Sequence, residues 1–461
     1  MNKMPFILMF IFWSCHQDGR QDVQNDMKTM SEAKYALMTL DPGHFHAALV
    51  QKKMYEQIDS TVYVYAPEGQ DVKDHLNRIK AFNSRSEDPT KWEEIVYAGP
   101  DFLEKMLAKK PGNVVIISGN NLKKTDYIKK SVENGLHVLA DKPMAILPAQ
   151  FPDLVEAFQI AEQNGVLLYD IMTERHEITT LLQKEFSKIQ EVFGNLEHGS
   201  ENEPSITKES IHHFFKYVSG APLIRPAWFF DVSQQGEGLV DVTTHLVDLV
   251  QWECFPETVI DFKNEVEVIS ARRWTTDLTQ EQFEKVTGLE TFPDYLNKDV
   301  KDGLLKVYSN GEIIFRIRDI HAKVSVIWNY QAPEGGDTHY SMMRGTRADL
   351  IIRQGPDENY LPVLYVEPKA EAEDFESDIH TAVNQILQER YPGISIEKIS
   401  DRQWKVIIPD IYKVGHEAHF SQVAEKFINY LEEGELPSWE VPNMITKYYI
   451  TTEALRMALS E

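Results

Sequence analysis

Only two cysteines, Cys15 and Cys254, occur in 461 residues, too few for a disulfide framework or a cysteine-based metal site. No apolar run reaches the roughly 20 residues that a membrane-spanning helix needs. Basic residues are scarce as well: 47 Lys and Arg against 72 Asp and Glu leave a formal net charge of -25. That balance excludes nucleic acid as a partner, because binding phosphates requires clustered Lys and Arg. An anionic substrate would need local basic groups against the overall field, whereas a neutral sugar would not. Short-period repeats and low-complexity tracts are missing too, which excludes solenoids and disordered tails. What is present is an ordinary globular composition, 42% hydrophobic and 11% aromatic, on a chain long enough for two domains.

The start of the chain reads as an address. Lys3 precedes an apolar run over residues 5–14, Cys15 follows, and a polar stretch comes after it. A charged start, a short apolar run and a cleavage point make a secretory signal, and Cys at the cut resembles the signal of a bacterial lipoprotein. Cys15 is then the lipidation site and residues 16–33 are a polar tether. The folded part is exported, periplasmic or at the cell surface, and meets the membrane only through its lipid. Phe12 and Trp13 are bulkier than that signal usually carries. The plainer alternative is a chance cysteine in a weakly packed N-terminus.

Residues 34–150 alternate short β-rich runs with longer helical stretches, the pattern of a parallel sheet covered by helices. Strands are expected at 35–40, 61–65, 95–97, 114–117 and 137–140, and helices at 44–56, 101–108 and 124–134. This is a Rossmann-like order. A dinucleotide turn normally reads G-x-G-x-x-G, so that backbone amides can approach the pyrophosphate. Here the turn is Asp41-Pro42-Gly43-His44-Phe45-His46, with Gly43 as its one glycine. Candidate cofactor contacts are Gly43, His44 and Phe45 in that turn, and Glu68 after the second strand, where it could hold a ribose hydroxyl. Asn120 and Asn121 after the fourth strand and Asp141 and Lys142 after the fifth complete the set. His44 and His46 invite a metal, but no carboxylate or Cys lies near them in sequence, and no metal is expected.

Asp141-Lys142-Pro143 lies at the carboxyl end of a strand, where open α/β sheets place their ligands. Together with the preceding NVVIISGNNLKKTDYIKKSVENGLHVLA, it resembles the glucose–fructose oxidoreductase / inositol dehydrogenase (Gfo/Idh/MocA) family. Members carry Glu-Lys-Pro at this point, with Asp141 here in place of Glu. A second anchor, QGEGLVDVTTHLVDLVQW, has a Gly-rich turn, then Asp241, then His245 four residues on, which puts both on one face of a helix. A third, MMRGTRADLIIRQG over residues 342–355, resembles the family's late Gly-Thr strand signature. The resemblance spans about residues 34–355. Singly, each anchor has a bland reading: an exposed lysine, an Asp capping its helix, a core histidine. Their coincidence in the right order favours a catalytic constellation.

The resemblance implies an α/β fold: a Rossmann-like parallel sheet over 34–150, then a C-terminal α/β domain over 151–461 with a large, mainly antiparallel open sheet. It implies NAD or NADP as cofactor, a carbohydrate or polyol as substrate, and a homo-oligomer formed through the open sheet. His245 is then the general base. Lys142 steadies charge on the reacting oxygen, and Asp241 binds a neighbouring hydroxyl or orients the base. Glu174, Arg175 and His176, at the entry to the second domain, are the sugar-binding candidates. Strand-like runs at 266–270, 311–317 and 322–329 suit the large sheet, while residues 356–420 exceed the usual layout. Three readings stay open. One is an oxidoreductase with a tightly held, recycled cofactor, as export implies. Another is redox-neutral glycoside cleavage, and the third a sugar-binding lipoprotein without activity, which the glycine-poor turn favours.

Overall fold

A computed structural model describes residues 34–218, 221–332, 336–369 and 374–460, so Cys15 and the tether lie outside the described residues. Six strands form one parallel sheet: β1 (Leu37–Leu40), β2 (Thr61–Ala66), β3 (Glu93–Ala98), β4 (Val114–Ile117), β5 (His137–Asp141) and β6 (Leu168–Ile171). Their order is β3-β2-β1-β4-β5-β6, the doubly wound arrangement in which the direction of winding reverses between β1 and β4. β1 and β4 are buried at every position, as central strands covered on both faces must be. The connecting helices are α1 (His46–Leu49), α2 (Gln70–Ser84), α3 (Phe102–Lys109), α4 (Lys124–Glu133) and α5 (Phe151–Asn164).

Two expectations shift. The helix expected over 44–56 has four residues. It stops because the next carbonyls are taken from elsewhere: Val50 O accepts from Tyr55 OH at 3.0 Å, Gln51 O from Trp92 Nε1 at 2.7 Å, and Lys52 O from an Arg85 nitrogen at 2.7 Å. The parallel sheet also runs past residue 150, since β6 joins β5 in parallel register with Ala140 opposite Asp170.

The second half builds α6 (Ile178–Ser187), β7 (Ile206–Phe215), α7 (Thr243–Cys254), β8 (Val266–Leu278), β9 (Leu304–Ile317) and β10 (Ile320–Gln331). It continues through β11 (Thr338–Arg344), β12 (Ala348–Arg353), β13 (Val363–Pro368), β14 (Ser395–Ser400) and β15 (Gln403–Ile407). These form a ten-stranded sheet in the order β8-β9-β10-β7-β11-β12-β13-β15-β14, with Val300–Lys301 pairing on β9 as the remaining strand. β7 and β10 run parallel and the other neighbours antiparallel, so the sheet is mainly antiparallel. The Gly-Thr signature is the tight β11–β12 connection. A side chain on Gly345 would stand 2.2 Å from Phe193 O, so only glycine lets the turn seat there.

Two long helices close the chain, α8 (His416–Glu433) and α9 (Glu440–Ser460). Phe420 and Phe427 of α8 pack into the core under the parallel sheet. α9 serves both cores: Met444 and Tyr448 enter the first, Ile450, Ala454 and Leu455 the second. The last residues of the chain therefore belong to the parallel sheet as much as to the large one.

Between the cores runs a chain of buried charges. Arg175 binds Asp248 through two nitrogens at 2.6 and 2.7 Å and both Glu440 oxygens at 3.0 Å. Lys447 Nζ is 2.7 Å from Asp170 Oδ2 and 2.8 Å from Asp248 Oδ1. Each member satisfies its neighbour, and removing one leaves an uncompensated charge. Lys447→Met is expected to lower stability by about 3–5 kcal/mol, read as a fall in the urea midpoint; a loss below about 1 kcal/mol would show that the network is not holding these elements.

Candidate functional site

A cavity of about 790 Å³ opens between the carboxyl ends of β1, β4 and β5 and the face of the large sheet formed by β7, β10 and β11. Lys142, at the end of β5, reaches across it to Asp241, with Nζ 2.7 Å from Oδ1. Both side chains are largely buried. Asp241 sits in the turn just before α7 and does not cap the helix; its other oxygen accepts from Gln235 Nε2 at 3.1 Å. The Gly-rich segment makes this possible. Gly236 takes a left-handed conformation at φ 97°, and a side chain on Gly238 would meet Ser309 O at 2.2 Å. The chain thus passes flush against β9 and delivers Asp241 into the cavity.

His245 follows one turn later and lines the same cavity. Its Nδ1 is buried and has no partner among the described residues. Burial first, then the charge of Lys142, push its pKa down to about 4, so the ring is neutral at pH 7. This is lower than a base tuned to neutral pH, although the neutral imidazole is the form that accepts a proton. Burial would raise the Asp241 pKa, but Lys142 outweighs it and holds the carboxyl below the usual range.

His44, Phe45, Asn121, Asp141 and Glu174 also line the cavity, whereas Gly43, Glu68, Asn120, Arg175 and His176 do not. Burial acts to raise the Glu174 pKa, yet the surrounding histidines, His416 foremost, hold it at about 2. Arg175 is wholly engaged by Asp248 and Glu440. His176 is pushed down to about 4, mainly by burial. Asn120 Nδ2 donates to Gln234 Oε1, and Asn121 Nδ2 to Gln235 O, both at 2.7 Å, tying the end of β4 to the segment before α7.

Several site groups escaped the reading of the sequence. Trp228 lies over Gly43 and donates through Nε1 to Asp71 Oδ2 at 3.1 Å. On the far wall, the His212 ring stacks on Trp328 at 4.9 Å, and Ser210 Oγ bridges His212 Nε2 at 2.6 Å and His339 Nδ1 at 2.9 Å. Lys208, Ser210 and His212 alternate along β7 and so share one face. That alternation was the available signal.

Residues 182–459 match the family described as "Putative oxidoreductase C terminal domain", and residues 42–170 match "Oxidoreductase family, NAD-binding Rossmann fold". A crystal structure of a candidate oxidoreductase from Parabacteroides merdae is 57% identical, covering 93% of this chain and 98% of its own, with a TM-score of 0.91. A levoglucosan dehydrogenase solved with NADH and levoglucosan shares the fold at 13% identity, covering 92% and 97% with a TM-score of 0.59. So does a 3-ketoreductase from Actinomadura kijaniata solved with TDP-benzene and NADP, at 14% identity, 92% and 97% coverage and a TM-score of 0.55. No curated protein matches the chain by sequence.

A histidine whose pKa falls from 6.5 to about 4 on folding binds fewer protons than its unfolded counterpart, so its contribution to stability is lost as pH falls through that window. His245→Asn is therefore expected to flatten the rise of stability with pH between about 4 and 6.5, by up to about 3 kcal/mol at the acid end. Urea titrations across that range would show parallel profiles for the two proteins if the ring were not buried uncharged.

Proposed function

The chain belongs to the Gfo/Idh/MocA oxidoreductase family and carries its NAD-binding Rossmann domain, and from that premise we propose that it moves hydride between NAD or NADP and a carbinol carbon of a sugar, polyol or glycoside. The observation that carries this reading is the Lys142–Asp241 pair, placed beside His245 in one cavity at the carboxyl end of β5. The nicotinamide, when bound, supplies the acceptor or donor of hydride. Neutral His245 takes the proton of the reacting hydroxyl on a ring nitrogen. Lys142, ion-paired with Asp241, stabilises the negative charge that grows on the same oxygen. Asp241 accepts a hydrogen bond from an adjacent hydroxyl through the oxygen now held by Gln235.

The residues fit the cofactor at its two ends. Exposed Glu68 follows β2, where a ribose diol would lie, and the cavity wall at Asn121 and Lys142 suits a nicotinamide, with an unpartnered nitrogen on His245. The turn between them departs from the usual phosphate nest. Gly43 N donates to Asp41 O at 2.9 Å and His44 N to Ser118 O at 3.3 Å, so two amides are already engaged. Two carboxyls stand close by, Asp41, pushed up to about 6 chiefly by burial, and Asp71, also raised by burial. Asp71→Asn is expected to tighten NAD(P) binding roughly three- to tenfold by removing a charge facing the pyrophosphate, measured by fluorescence titration; unchanged affinity would mean that phosphates bind elsewhere.

The stacked Trp328–His212 wall offers an aromatic face for a second ring and so favours a glycoside over a single sugar ring. Redox-neutral cleavage, with the cofactor reduced and reoxidised in place, is therefore the second reading. Export, lipidation at Cys15 and assembly through the open sheet belong to the same proposal and rest on the sequence alone. A panel of sugars and nitrophenyl glycosides, read for NAD(P)H absorbance and nitrophenol, separates the readings. Lys142→Ala is expected to cut kcat about 10²–10³-fold. A wild-type protein that binds sugar but turns over none of the panel would instead be a binding lipoprotein.

A further inference from the structure

Asp141 Oδ2 is the meeting point of two imidazoles. His46 Nδ1 stands 2.9 Å from it and His44 Nδ1 3.4 Å. The two rings are 4.0 Å apart between centroids and nearly perpendicular at 84°. One ligand atom from each of the three residues lies within 4.8 Å of the others. The His46 contact is a sound hydrogen bond, but His44 Nδ1 is buried and hydrogen-bonds nothing among the described residues. A buried nitrogen left unpaired beside a buried carboxylate costs free energy unless something joins them.

A shared cation would join them. Two ligand atoms each about 2.1 Å from a shared zinc ion stand about 3.4 Å apart at the tetrahedral angle, which is the observed His44 Nδ1 to Asp141 Oδ2 separation. The shorter His46 spacing corresponds to a narrower angle. We propose that His44, His46 and Asp141 bind a divalent transition cation of the zinc type, with the remaining coordination position open to the cavity. Two imidazoles and a carboxylate are a donor set of open zinc sites, and all three residues line the cavity.

Neighbouring groups hold Asp141 by its carboxylate and by its main chain. Ser118 Oγ donates to Asp141 Oδ2 at 2.9 Å, and Lys124 Nζ donates to the main-chain oxygen of Asp141, also at 2.9 Å. Lys142, next in the chain, turns away to Asp241. The open position faces the volume that holds substrate, where a hydroxyl or carbonyl oxygen of a sugar could enter. This site goes beyond the hydride-transfer reading and stands without it.

The test uses the full chain, stripped with a chelator and titrated with zinc chloride by calorimetry, with melting temperature followed in parallel. One zinc per chain should bind and raise Tm. His44→Gln should weaken zinc at least 100-fold and abolish the shift in Tm; its side chain is 24% exposed, so the fold is not at stake, and a matching circular dichroism spectrum verifies that. Ser118→Ala, which touches the ligand but not the ion, should weaken zinc about 10- to 100-fold. Absence of binding by the wild type, or equal binding by His44→Gln, overturns the proposal.

Discussion

The arrangement of the site depends on the rotation of α7, and a buried charge network sets that rotation. Asp241, His245 and Asp248 are spaced at i, i+4 and i+7, so they line one side of the same segment. Asp248 is gripped by Arg175 from the segment after β6 and by Lys447 from α9. Lys447 also holds Asp170 of β6, the strand hydrogen-bonded to β5, which ends just before Lys142. One chain of contacts thus joins the strand carrying the lysine to the helix carrying its partners. Buried ion pairs add little net stability over well-packed apolar groups. Their use here is registry: they leave α7 one orientation in which Asp241 meets Lys142.

What could be read from the sequence follows the range of the forces involved. β4 was legible to the residue because a strand buried on both faces writes its burial as an unbroken apolar run. The Lys142, Asp241 and His245 anchors were legible because each lies in a short motif that resembles the family's, and the structure brings all three to one cavity. Arg175 was not. Glu174, Arg175 and His176 look alike as a polar triplet, yet the partners that take Arg175 out of the cavity lie 73 and 265 residues away. The length of α1 failed for the same reason, since Trp92 and Arg85, far along the chain, claim the carbonyls that would have continued it.

The first turn shows the same limit from the other side. His44 and His46 have no acidic neighbour in sequence, but β1 and β5 flank β4, and this brings Asp141, 95 residues on from His46, against both rings. Adjacency in a parallel sheet is set by winding order, so a residue at one strand end finds partners one helix–strand unit or more away. The carboxyl of Asp71 arrives at Gly43 in the same manner, from the first turn of α2. A turn that is poor in glycine is, in three dimensions, rich in acids and imidazoles.

The electrostatics of the cavity explain how a protein of net charge -25 can offer a site of mixed polarity. Its ammonium groups are paired, Lys52 with Glu417, Lys142 with Asp241, Lys208 with Glu253 and Lys216 with Asp337, while the Arg225 guanidinium donates to the main-chain oxygens of His213 and Phe214. Its imidazoles at His44, His46, His212 and His245 are held neutral chiefly by burial. A neutral imidazole donates from one nitrogen and accepts at the other, which matches a hydroxyl that does both. Unpaired ammonium groups would instead select anions and bind them strongly. On the proposed reading, charge pairing and burial act together to suit the wall to an uncharged polyhydroxyl ligand, whichever reaction the cavity supports.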